Sequence, residues 1–314
     1  MARLFKITKK FVVLSAIFAC IAGALGAAIF FYISRPQPLD KSVLSAEHLL
    51  ARKVDLKNGE ALYNAGGCIS CHRPAKGVKQ QDLPSGGAAL HTPIGTFYPP
   101  NITPDKTTGI GNWTPIQFIN AMKRGLSPQG KHYFPAFPYT SYAKMKTHDL
   151  LDLQAYILTL QAVDTSKNKR TDIFAGPVFR RGVGAWKRLG LSDKTFAPDP
   201  NKSASWNRGA YLVSGAGHCN ECHTPRNLIM ISDFSRHLAG GPHPEGKGKV
   251  PSLRGLIARK KFSDINDLNS ALRFGEIMGY EDMSSGGMGD VQTNMSKLPE
   301  ADTKAISEYI LSLK

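Results

Sequence analysis

The chain has 314 residues, enough for about two domains that each bury a core. Lys and Arg outnumber Asp and Glu by 40 to 24, a formal charge of +16. That sign suits an anionic membrane surface or an acidic partner, and nothing beyond charge speaks for nucleic acid, so none is expected as a partner. The five cysteines are Cys20, Cys68, Cys71, Cys219 and Cys222. Two local pairs and a single residue in a chain this large exclude a disulfide-stapled scaffold.

Residues 1–10 form a basic segment with Arg3, Lys6, Lys9 and Lys10. Phe11 to Ile33 then carry no charged side chain, and crossing a bilayer takes about 20 such residues. A signal-peptide core of about 7–15 residues would be shorter. The sequence therefore predicts a transmembrane anchor over 11–33, with the basic end in the cytoplasm and the remainder outside a bacterial-type inner membrane. Cys20 is one small apolar residue within it. Residues 34–54 read as a linker.

A unit over 55–162 opens on a short helix, Asn58 to Tyr63, followed by Cys68-Ile69-Ser70-Cys71-His72. It closes on an amphipathic helix from Thr147, the expected N-cap, to Leu158. A second unit over 201–314 repeats the order: Asn207 to Leu212, then Cys219-Asn220-Glu221-Cys222-His223, then a helix with Pro299 at its first position. Cys-x-x-Cys-His is the attachment signature of c-type haem. Two thiols one turn apart reach both vinyl groups of a porphyrin edge, and the adjacent imidazole meets the iron. The immediate His and the duplication argue against zinc or dithiol chemistry. The expected cofactors are two covalently bound haem c, held by Cys68, Cys71 and His72 and by Cys219, Cys222 and His223.

A Met thioether usually takes the sixth iron position, from a loop before the closing helix. In the second unit Met288 fits, with Met283 and Met295 as rivals. In the first, the loop from Tyr133 to Tyr142 has no Met. Met145 follows, either as ligand or as the apolar residue that staples a helix start. Met122, His91, His132 and an open iron are the alternatives. The carbonyls near Pro100 and Pro251 are candidates to hold the proximal imidazoles.

Residues 163–200 form an interdomain linker with a helix between Pro177 and Gly190. Phe179, Val183, Trp186 and Leu189 fall on one stripe, expected to pack the two units together. The predicted fold class is all-α: two tandem cytochrome c domains with long loops and one N-terminal transmembrane helix.

Residues 55–314 resemble the cytochrome c subunits of membrane-bound quinohaemoprotein alcohol dehydrogenases and related sugar-acid dehydrogenases. The resemblance rests on Thr92-Pro93-Ile94-Gly95-Thr96-Phe97-Tyr98, Asn101-Ile102-Thr103-Pro104-Asp105, Thr108-Gly109-Ile110-Gly111-Asn112-Trp113, Tyr139-Thr140-Ser141-Tyr142-Ala143-Lys144 and Trp206-Asn207-Arg208-Gly209-Ala210-Tyr211. Those subunits typically carry three haems and a Met where this chain has Phe137. The resemblance implies a dihaem electron-transfer subunit without a substrate site of its own. Its donor would be a periplasmic or membrane dehydrogenase, or quinol, and its acceptor a terminal oxidase or soluble cytochrome, with membrane lipid around the anchor. The alternative is a dihaem enzyme with an open first haem, of peroxidase or thiosulfate-dehydrogenase type.

Overall fold

A computed structural model describes residues 2–45, 52–75, 81–92, 95–166, 172–173, 176–244, 248–275 and 287–314. Helix α1 (Ala2–Ile33) contains a 25-residue stretch, Lys9–Ile33, of mean hydropathy 2.4 that the rest of the protein leaves uncovered. At 1.5 Å per residue such a stretch is about 37 Å long, against a hydrocarbon core of about 30 Å. Among the described residues it is the one helix long and apolar enough to cross a membrane.

The remainder is mostly helical with little strand. Helix α2 (Leu56–Ala65) starts where the Asp55 carboxylate accepts from the Asn58 N–H at 3.0 Å, satisfying a donor that the first turn leaves open. The short helix α3 spans Cys68–His72. A small antiparallel sheet orders β1 (Leu90–Thr92), β2 (Gly95–Phe97) and β3 (Asp172–Ile173), with Leu90 opposite Phe97 and Gly95 opposite Ile173. Helix α4 (Pro115–Arg124) has a capping box between Thr114 and Gln117. Helices α5 (Tyr139–Tyr142) and α6 (Thr147–Ile157) close this half. Helix α7 (Pro177–Gly190) follows, with its proline in the first turn.

The second half repeats the order. Helix α8 (Ala204–Ser214) precedes α9 (Asn220–His223), and a two-stranded ribbon pairs β4 (Gly241–Pro242) with β5 (Lys249–Val250). Helices α10 (Ile265–Phe274), α11 (Gly287–Met295) and α12 (Glu300–Leu311) complete the chain. In each half the opening helix crosses the closing helix at a glycine. A Cβ on Gly59 would stand 2.2 Å from the Asp152 carbonyl oxygen, and one on Gly209 would stand 1.9 Å from that of Ala305. Aromatic pairs flank both crossings, Tyr63 with Tyr156 and Trp206 with Tyr309. The halves share one buried cluster, in which Leu62, Met145 and Leu150 meet Leu212, Val213 and Ile306.

Three expectations shift. Lys146 is the N-cap of α6, with Thr147 already inside, and Pro299 caps α12 from outside. The stripe on α7 does not pack the units together as a whole. Val183 is buried, but Phe179 and Leu189 are 55% and 72% exposed. The inward face holds Gly184 and Lys187 beside Val183, because the cations of this helix find carbonyl acceptors there.

Candidate haem centres

Gly67, in the left-handed region at φ +53, turns the chain from α2 into α3. Cys68 and Cys71 then lie one helical turn apart with His72 following. No disulfide joins the cysteines of either motif. The His72 Nδ1 is 2.7 Å from the Pro100 carbonyl oxygen. A carbonyl only accepts, so Nδ1 carries the proton and Nε2 keeps its lone pair for a metal. The second motif reproduces this, with the His223 Nδ1 at 2.8 Å from the Pro251 carbonyl oxygen. In both motifs the carbonyl comes 28 residues after its histidine. The histidine carbonyls are themselves fixed, by Gly86 N–H at 2.6 Å and Gly240 N–H at 2.7 Å.

Burial lowers the pKa of both imidazoles, opposed by the bond to the proline carbonyl. Neutral imidazole is the form that binds a metal. Burial also pushes the Cys68 and Cys219 thiols up to about 12, and Cys71 and Cys222 add to the effect. Protonated, partly shielded thiols beside a neutral imidazole fit a porphyrin attached through thioether bonds.

The distal candidates differ in their surroundings. Met288, in the first turn of α11, is partly open to solvent. Met295 and Met122 belong to the buried core, and Met283 lies outside the described residues. Met145 is fully buried, and a Cβ on Gly215 would touch its Cγ at 3.4 Å. His91 is exposed on β1, 3.1 Å from the Thr96 hydroxyl. Both nitrogens of His132 are engaged, Nε2 donating to the Ser34 carbonyl at 3.0 Å and Nδ1 accepting from Lys187 at 3.3 Å. Phe137 packs among Tyr133, Tyr139 and Tyr142.

The two Cys-x-x-Cys-His turns are joined directly. His218 Nε2 donates to the Gly66 carbonyl at 3.1 Å. Asn294 on α11 donates to Ser70 inside the first motif, and Arg73 pairs with Asp290 at 3.3 Å. In return, Thr140 and Ser141 on α5 donate to Glu221 inside the second motif, and Asn220 donates to Ser141 at 3.2 Å. Arg226 pairs with the same Glu221 at 2.6 Å. Sequence reasoning missed this interlock. Its one local trace is that Ser141 and Asn294 occupy matching places before the two closing helices.

The family model for cytochrome c matches residues 56–161. A protein of Cereibacter sphaeroides named "Diheme cytochrome c-type" is 38% identical over 292 residues, covering 92% of this chain and 93% of the relative. The chain belongs to the dihaem c-type cytochromes. As such it transfers electrons and carries covalently bound haem c, two per chain in the dihaem case. This dihaem cytochrome is also 36% identical over 268 residues to the gluconate 2-dehydrogenase cytochrome c subunit of Pantoea cypripedii, and 34% identical over 270 residues to the cytochrome c subunit of alcohol dehydrogenase (quinone) of Gluconacetobacter polyoxogenes. The two matches cover 82% of this chain but only 59% and 56% of those relatives.

Proposed function

We propose that this dihaem cytochrome is anchored by α1 in a bacterial inner membrane, with its N-terminus cytoplasmic and its haems in the periplasm. There it passes electrons from a dehydrogenase or quinol to a terminal oxidase or soluble cytochrome. Residues 55–162 and 201–314 are read as its two cytochrome c domains. Cys68 and Cys71 hold one haem and Cys219 and Cys222 the other, with His72 and His223 as proximal ligands. Met288 is the proposed sixth ligand of the second iron and Met145 that of the first. Relatives named as dehydrogenase cytochrome subunits support a dehydrogenase donor. This chain is read as having no substrate of its own.

The observation that carries the reading is the duplicated arrangement of paired cysteines with an imidazole held through Nδ1 by a proline carbonyl. Haem bound when bound covalently supplies a one-electron couple, and the chain contributes its attachment, its axial nitrogen and its shielding. Haem staining of the denatured protein, with the pyridine haemochrome, should count two haems per chain. Cys68→Ala with Cys71→Ala, and Cys219→Ala with Cys222→Ala, should each leave one. A parent protein with fewer than two would overturn the reading.

A second reading leaves the first iron open at its sixth position, as in a dihaem enzyme acting on a small molecule. The full burial of Met145 against Gly215 favours it. Carbon monoxide added to the reduced protein separates the two, since only an open iron binds it rapidly.

A further inference from the structure

Helix α7 meets α1 at its last turn and at the residue beyond. Arg181 donates to the Phe31 carbonyl and Arg188 to the Ile33 carbonyl, both at 3.1 Å. A Cβ on Gly184 would stand 2.3 Å from the Ser34 carbonyl oxygen. These are carbonyls that the end of a helix leaves without intrahelical donors, and cations there also oppose the negative end of the helix dipole. Two turns of α7, from Arg181 to Arg188, thus attend the last turn of α1 and the residue beyond it.

With Lys187 turned inward, α7 presents Val178, Phe179 and Leu189 to the outside, and Arg188 stays exposed beside them. At its far end, Trp186 donates from its indole to the Ile229 carbonyl at 2.7 Å, and Gly190 packs against Ile231. These contacts attach the 227–231 turn to α7. The turn is built: the Asn227 carboxamide oxygen accepts from the N–H groups of Ile229 and Ile231, and Arg226 holds the Met230 carbonyl at 3.0 Å. What it displays is Leu228, Ile229 and Met230, all exposed. A shaped turn with three apolar side chains outward, joined to a helix with an apolar outer face, marks an interaction surface. Between the inward side of α7 and the segment after α1 lies a pocket lined by Arg35, Arg124, Lys187 and Arg188, with Asp193 as its acid.

We infer that α7 and the 227–231 turn form a second membrane contact, resting on the outer leaflet with Val178, Phe179, Leu189, Leu228 and Ile229 in the acyl boundary and Arg35 and Arg188 toward lipid phosphates. The occupant is the bilayer because this surface is continuous with the exit of α1 and because an apolar face with the exposed Arg35 and Arg188 near that exit matches an anionic lipid interface. A helix of this kind seats its apolar face about 5–10 Å into the headgroup boundary. The two haem units would then be held at a fixed height and tilt instead of swinging on the anchor. This rests on the reading of α1 as membrane-spanning.

The test uses the full-length haem-loaded protein with Cys20→Ala and Leu228→Cys, labelled at position 228 with an environment-sensitive fluorophore. It is placed in vesicles of phosphatidylethanolamine and phosphatidylglycerol. The expected result is a blue-shifted emission that lipids brominated near the glycerol end of their chains largely quench, unchanged as the lipid-to-protein ratio rises. A label at Asp267 should stay water-like and unquenched. Resistance to alkaline carbonate extraction reads α1 separately. Protein that resists extraction while position 228 reports water overturns the inference alone, and extracted protein overturns the anchor beneath it. A blue shift that vanishes on dilution into excess lipid would mark a second copy as the occupant and also overturn it.

Discussion

Asn294 donates from its side-chain amide to the hydroxyl of Ser70 at 2.7 Å. The helix that carries Met288 in the second half therefore rests on the attachment turn of the first. The converse contact runs through Glu221, which accepts from Thr140 and Ser141 and pairs with Arg226. Each half braces the turn to which the other half's haem is proposed to attach, so neither attachment turn moves without the opposite closing segment.

Glu221→Ala tests this brace. It strips two hydroxyls and a mostly buried guanidinium of their acceptor, and removing one partner of a buried pair costs about 3–5 kcal/mol. Because Glu221 keeps slight exposure, a loss toward the lower end is expected, seen as a fall in the guanidinium midpoint of the haem-loaded protein. Glu221→Met with Arg226→Met should lose less than Glu221→Ala alone. Equal losses would show that the pair does not carry the contact.

Met288→Ala should give one additional haem per chain that binds carbon monoxide in the reduced state, read from the difference spectrum. Met145→Leu keeps most of the volume against Gly215 while removing the sulfur, so folding should be nearly unaffected. It should open the first iron to carbon monoxide. If the parent already binds one carbon monoxide per chain and Met145→Leu changes nothing, the first iron is open and Met145 is a packing residue.

The two Cys-x-x-Cys-His turns were legible because their residues are local: two thiols and an imidazole within one turn. The carbonyls of Pro100 and Pro251 were also within reach of sequence reasoning, since each falls at the same distance after its histidine. The bounds of α7 were legible from Pro177 and Gly190, but its orientation was not. Periodicity identifies an apolar face without saying what covers it, and here Arg181 and Arg188 donate to carbonyls of α1 while Lys187 turns inward to a carbonyl of α4. The bonds from Asn294 to Ser70 and from Ser141 to Glu221 join residues far apart in the chain, and no local pattern announces them.

Lys187 makes stability depend on pH. Its ammonium donates to the Arg124 and Gly125 carbonyls, with His132 beside it and Arg35, Arg188 and Asp193 around the same pocket. Burial, and then the Arg124 charge, lower its pKa from 10.5 to about 7. Between those values the unfolded chain holds a proton that the folded chain has shed, so stability should rise with pH across that interval. Below about 7 both states are charged and the full penalty of burying the ammonium applies. Lys123, lowered to about 8 by burial, acts in the same direction. Denaturant midpoints should therefore increase from neutral pH toward pH 9 or so, and Lys187→Met should flatten most of that slope. A slope unchanged in the variant would place the titration elsewhere.

The helix crossings set how each half closes, and Gly209→Ala measures one of them. The added methyl would meet the Ala305 carbonyl oxygen at 1.9 Å, a backbone atom that no rotamer change can move aside. Helices α8 and α12 must separate, which disturbs Leu212, Ile306 and the Trp206–Tyr309 pair together. Overpacking of a core costs about 1–3 kcal/mol, and a clash with backbone belongs at the upper end of that range. Gly59→Ala should act likewise through Asp152, at 2.2 Å, and more mildly. Because α8 leads into the second attachment turn, Gly209→Ala should also reduce haem incorporation at Cys219 and Cys222 more than at Cys68 and Cys71, counted by mass spectrometry of haem-bearing peptides. A variant as stable as the parent, with both peptides fully loaded, would show that the two helices meet less closely than this geometry requires.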